Sequence, residues 1–214
     1  MDTNLTKKQV YEKLENIVII GNGGRENSLA WAIQKNKLIK NIYLIPGNGG
    51  SGEINKCQNL HIDYENKNLL IQTLNSLEID LIILAGFMRI LGKNITEKFY
   101  GKMINLHPSL LPLYPGLNTH AQALNNKDKY HGISIHFVTA KLDEGPLIAQ
   151  GKILIKEEDD IEKLIARIHK IEHDLLPKVI NELCLNNIYL NCETHKVMYS
   201  NILDSKMFVT YFNN

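Results

Sequence analysis

Residues 17–27, IVIIGNGGREN, run four apolar residues (Ile17, Val18, Ile19, Ile20) into a glycine-rich turn, and helical spacing follows through Ser28, Leu29, Ala30 and Ile33. A short run that is apolar on both faces suits a strand buried on both faces. Gly21, Gly23 and Gly24 permit the tight turn that sends the chain back over the sheet. The spacing predicts a helix over 27–36, a strand over 41–45, a helix near 66–77 and a strand over 79–86. Further strands are expected at 103–106, 132–138 (GISIHFV) and 151–156 (GKILIK). Strands that alternate with helices need crossover connections, so the fold class is α/β, a doubly wound, mostly parallel sheet in a single domain. Asp159 or Asp160 is placed to cap a helix from about 161, whose stripe is Ile161, Leu164, Ile165, Ile168 and Ile171. Pro177 is expected to end or kink that helix. A short polar helix is expected over 5–15, and 188–214 reads as strand-like without a clear place in the sheet.

The 214 residues suffice for one sizeable core. With a net charge of +1 and no block of like charge, the composition gives no general electrostatic case for nucleic acid or an anionic membrane as partner. The most apolar segment, IDLIILAGFMRIL, is interrupted by Asp80 and Arg89, and the first sixteen residues lack an apolar signal core. Cys57, Cys184 and Cys192 are odd in number and form no C-x-x-C, which suits free thiols in a reducing, cytoplasmic compartment.

The turn at 21–25 would present backbone N–H groups at a helix N-terminus, where an anion is stabilised. A dinucleotide fingerprint would need a glycine at Glu26, and the next strand ends in Pro46 without a ribose-binding carboxylate. A tight βα turn without a ligand remains the plain alternative. The chemistry is expected at the carboxyl ends of the strands. Asn105 and His107 stand two apart on an extended segment and so share a face, from which an amide and an imidazole can reach one carbonyl. The loop 107–120, HPSLLPLYPGLNTH, reads as a semi-rigid flap, and Asp143, ahead of Gly145-Pro146, is placed to orient His107 and raise its pKa. Taken singly, each of these residues is equally readable as a turn residue.

The segments AGFMRIL, INLHPSLLPLYPGLNTH, HGISIHFVTAKLDEGPLIAQ and IEHDLLP, within 79–195, closely resemble the phosphoribosylglycinamide formyltransferase family. The resemblance implies a Rossmann-like formyltransferase fold, 10-formyltetrahydrofolate as co-substrate, glycinamide ribonucleotide as acceptor and no metal. It also implies catalytic roles for Asn105, His107 and Asp143. By the same resemblance Met88, Arg89, Ile90 and Leu91, with Val138, Ala140 and Lys141, line the folate pocket, and Glu172 contacts the ribosyl group. The stretch from Tyr114 to His120 is the more discriminating part.

The N-terminal segment departs from that family, which usually has serine and asparagine where this chain has Gly24 and Arg25. NIVIIGNGGRENSLAWAIQKN and IYLIPGNGGSG are similar instead to the N-terminal domain of phosphoribosylamine–glycine ligase. The implied organisation is an extension over 1–15, a formyltransferase domain over 16–196 divided into a ligase-like phosphate-binding half (16–80) and a catalytic half (81–196), and a tail over 197–214. Gly23, Gly24 and Arg25 would then hold the ribonucleotide phosphate. The remaining readings are a formyltetrahydrofolate deformylase, a methionyl-tRNA formyltransferase and a non-catalytic ribonucleotide-binding hybrid. HKIEH, 169–173, fits an inverted zinc-protease pattern but lacks any companion motif. A monomer or homodimer is expected.

Overall fold

The computed structural model describes residues 13–21, 24–87, 91–200 and 209–211, and the expected helix over 5–15 lies almost wholly outside them. Strands β1 (Asn16–Gly21), β2 (Asn41–Ile45), β3 (Cys57–Asn59), β4 (Leu81–Ala85), β5 (Met103–His107), β6 (Tyr130–Phe137), β7 (Leu147–Leu154) and β10 (Val209–Tyr211) form one sheet. Its order is β10-β7-β6-β5-β4-β1-β2-β3. The five strands from β3 to β5 run parallel, β6 is antiparallel to both β5 and β7, and β10 lies parallel to β7. A two-stranded ribbon, β8 (Ile188–Asn191) with β9 (Lys196–Tyr199), stands beside it. The C-terminal stretch thus supplies the ribbon and an edge strand.

Alternation along each strand divides the core in two. Ile17, Ile19, Leu81, Ile83, Ile104 and Leu106 meet α1 (Gly24–Ile33) and the long α5 (Ile161–Cys184) on one face. Val18, Ile20, Ile82, Leu84 and Met103 meet α2 (Lys67–Ser76) and α3 (Lys93–Lys98) on the other. A fifth helix, α4 (Thr119–Asn125), follows the flap. Asn66 caps α2 through the Leu69 N–H, and Asp160 caps α5 through the Lys163 N–H. The first helix starts three residues earlier than its periodicity predicts, directly at Gly24. Pro177 does not end α5, which continues to Cys184. Its missing N–H costs about 3 kcal/mol in a helix interior, but Leu175, Leu176, Val179, Ile180 and Leu183 around it are all buried, and that burial keeps the helix whole.

Strand order reverses between β1 and β4, the point where an open α/β sheet leaves a crevice at its carboxyl end. Gly21 ends β1 there because any Cβ would strike the Ala85 carbonyl. Gly86 then turns β4 away at φ +67°, in the left-handed region that favours glycine.

Candidate active site

Asn105 and His107 close β5 on the side facing Met103, and both turn toward Asp143. His107 Nδ1 lies 3.3 Å from Asp143 Oδ2, and its Nε2–H donates to the Tyr114 carbonyl at 2.8 Å. Asn105 Nδ2 donates to Asp143 Oδ1 at 3.3 Å. Asp143 sits at φ +52° in the turn after β6, and its Oδ2 also accepts the Gly116 N–H at 2.9 Å. Glycine stands two residues on, at 145, because any Cβ there would run into the Phe137 carbonyl. The three residues expected to work together are therefore brought together.

The electrostatics differ from expectation at His107. Asp143 and the Tyr114 carbonyl do raise its pKa, but burial is the larger influence and carries it below the ordinary 6.5. For Asp143, burial alone would raise the carboxyl, yet the His136 ring, the Gly116 N–H and the His107 charge bring it below its ordinary value. An imidazolium at 107 finds an acceptor for each N–H, while burial disfavours its charge.

His136, which no sequence motif singles out, belongs to this centre. It faces Asn105 across the β5–β6 ladder. Its Nδ1–H donates to the Phe137 carbonyl at 2.9 Å; Nε2 of the neutral ring accepts from Asn105 Nδ2 at 3.2 Å, and with a proton it faces Asp143 Oδ1 at 3.6 Å, the form that favours the carboxylate charge. The signal was in GISIHFV: Ile133, Ile135 and Phe137 enter the core, so Ser134 and His136 must share the opposite face. Ser134 anchors the flap by donating to the Ser109 carbonyl at 2.7 Å and accepting the Leu111 N–H at 3.0 Å.

A narrow cavity of about 60 Å³ opens beside Asn105, His136 and Asp143, and Leu84, Phe87, Leu91, Val138, Ala140 and Lys141 contribute to its walls. Leu91, Val138, Ala140 and Lys141 are thus placed together as expected, while Met88, Arg89, Ile90 and Gly23 lie outside the described residues. On the other flank, Arg25 and Glu172 meet each other. Arg25 Nε donates to Glu172 Oε2 at 2.9 Å and Nη2 donates to Oε1, a bidentate pair around a carboxylate with no exposed surface. His120, the last residue of the discriminating flap stretch, faces His131 at 3.0 Å between Nδ1 and Nε2. Among the described residues no group of three or more His, Cys, Asp or Glu side chains is placed to hold a metal, and no helix is long and apolar enough to cross a membrane.

Known proteins show the same arrangement of chain. Over 112 residues the sequence is 46% identical to phosphoribosylglycinamide formyltransferase of Escherichia coli, covering 52% of this chain and 53% of that protein. For the enzyme of the same name from Bacillus subtilis the figures are 45% over 129 residues, 58% and 66%. These alignments span about half to two thirds of the curated relatives. The solved phosphoribosylglycinamide formyltransferase of Coxiella burnetii superimposes with a TM-score of 0.74 at 33% identity, covering 94% of this chain and all of that one. The Formyl transferase family matches residues 18–180, a span that takes in the β1–α1 turn as well as Asn105, His107, His136 and Asp143, and the chain belongs to that family.

Proposed function

We propose that the protein transfers the formyl group of 10-formyltetrahydrofolate to the amine of glycinamide ribonucleotide, a step of purine synthesis. The observation that carries this reading is the convergence of Asn105, His107 and Asp143 on one point at the end of β5. As the amine attacks, a C–N bond forms and the formyl oxygen takes up negative charge. Collapse breaks the bond to the folate nitrogen, which gains the proton the amine loses. Asn105 Nδ2, releasing Asp143 Oδ1 and keeping His136 Nε2, and protonated His107 hold the oxyanion, commonly the largest single catalytic contribution. The oxyanion takes the place of the Tyr114 carbonyl as acceptor of the His107 Nε2–H, which requires the flap to shift. Asp143 balances the imidazolium from its other side.

Leu91, Val138, Ala140 and Lys141 line the folate side, an apolar slot whose polar rim suits a pteridine, and the sequence resemblance assigns Met88, Arg89 and Ile90 to the same ligand. Gly23, Gly24 and Arg25 hold the phosphate on the other flank, with Glu172 close by. The likeness of 16–80 to the ligase domain supports this, since both families handle a phosphoribosyl amine. In this reading 16–196 works as one domain between an extension and a tail. The enzyme is cytoplasmic, as its three free cysteines suit, and needs no metal. It acts on small molecules, not on nucleic acid or a membrane, as monomer or homodimer.

The test is a spectroscopic formyl-transfer assay with glycinamide ribonucleotide and a 10-formyl folate analogue. Asn105→Ala and His107→Ala should each lower kcat about a hundredfold or more with small changes in KM. An unchanged kcat removes that residue from the mechanism, and formate release without the amine would instead indicate a deformylase.

A further inference from the structure

Glu172 is 0% exposed, and each of its carboxylate oxygens accepts from Arg25, one from Nε and one from Nη2. Such an arrangement is poorly suited to a direct ligand of a sugar, because its best acceptor positions are already filled and buried. It is well suited to aiming a guanidinium, whose planar fork matches a carboxylate edge to edge. With two of its nitrogens so held, Arg25 has one left. Nη1 has no partner among the described residues, and it lies against the turn after β4, where a Cβ added to Gly86 would sit 3.8 Å from it. The Arg25 side chain keeps 20% of its surface exposed, so it is not sealed in with the carboxylate it holds. The guanidinium charge also reaches His107, His120 and His169, adding to the burial that lowers each of them.

We propose that Glu172 is a positioning residue that acts through Arg25: it takes two edges of the guanidinium and turns the third, Nη1, to the phosphate of the phosphoribosyl substrate. This rests on the reading that the substrate is a phosphoribosyl amine. It differs from the direct ribosyl contact that the sequence resemblance implies for Glu172. Glu172 then matters only while Arg25 is present.

The test is a double-mutant cycle on the full chain, read by calorimetric titration with ribose 5-phosphate. Glu172→Gln should weaken binding up to about tenfold and Arg25→Ala about ten- to hundredfold, as loss of a charged hydrogen bond implies. In the Arg25→Ala background, Glu172→Gln should add less than about twofold. In formyl transfer both single variants should raise KM for glycinamide ribonucleotide with kcat nearly kept, because the phosphate is remote from the formyl carbon. If Arg25→Ala does not melt as the parent does, Arg25→Lys serves in its place, since an ammonium keeps the charge but cannot hold both oxygens. Equal losses from Glu172→Gln in both backgrounds would make Glu172 a direct ligand and overturn the proposal, as would the absence of any ribose 5-phosphate binding by the parent chain. Coupled binding without formyl transfer would instead remove the catalytic reading and leave this one standing.

Discussion

At the scale of single residues, His136 decides how firmly the Asn105 amide is aimed. Asn105 has two N–H bonds to place, and they go to His136 Nε2 and Asp143 Oδ1. His136→Phe keeps a ring in the buried position but takes away the acceptor, so one amide N–H loses its partner. A neutral hydrogen bond contributes about 0.5–1.5 kcal/mol net, so kcat for formyl transfer should fall up to about tenfold with KM for both substrates nearly constant. Steady-state kinetics checks this, and an unchanged kcat would mean that Asp143 alone orients the amide. Alternation along β5 was enough to pair Asn105 with His107, since neighbours two apart must share a face. Nothing local could pair Arg25 with Glu172, which meet across 147 positions of sequence. Only the packing of α1 on α5 makes them neighbours.

At the scale of elements, the flap from His107 to His120 is held by the chain around it. Tyr114, Gly116 and Asn118 have φ of +53°, +84° and +59°, a run of left-handed residues that keeps the Gly116 N–H on Asp143. Gly116→Ala strains that turn and should lower kcat through Asp143, with an effect of about 1 kcal/mol as an αL alanine implies. The flap runs into α4, where His120 meets His131. Burial pushes each of these two rings down to about 4; neighbouring positive charges add to it at His120, whereas Asp128 opposes it at His131. The groups around His120 are His131, His169, Arg25 and His107, and those around His131 are His120, Asp128 and His107. Unfolding returns both rings to about 6.5, so between pH 6.5 and 4 the unfolded chain binds more protons. Stability should therefore be level with respect to this pair above about pH 6.5 and be lost as pH falls toward 4, by about 1.4 kcal/mol per pH unit for each proton taken up. Urea midpoints measured across that range should fall less steeply for His120→Gln. Parallel curves for the two proteins would show that the pair stays charged in the fold.

At the scale of the whole molecule, the question is whether 16–80 and 81–196 are separable. The sheet answers it through β1, which pairs with β2 on one side and with β4 on the other, each over five residues. Residues 16–80 thus contribute a central strand whose other neighbour comes from 81–196. Long apolar runs such as Ile17–Ile20 made this parallel sheet legible in the sequence. The three-residue β3 and the short helices α3 and α4 carry too few periods to be seen, the strand character of 188–214 is legible but its division into the β8–β9 ribbon and the edge strand β10 is not, and at Pro177 tertiary burial outweighs a local rule. Splitting the chain between β3 and β4 would expose Ile17, Ile19, Leu81 and Ile83, all fully buried, and leave β1 with an open edge. Unfolding should accordingly be one cooperative transition. Trp31 on α1, the single tryptophan, reports the N-terminal half, whereas far-ultraviolet circular dichroism reports every helix. The urea midpoints from the two probes should coincide, and a chain beginning at residue 81 should not fold. A fluorescence transition that clearly precedes the loss of ellipticity would show that the first half opens by itself, and the two segments would then be separate folding units sharing a sheet.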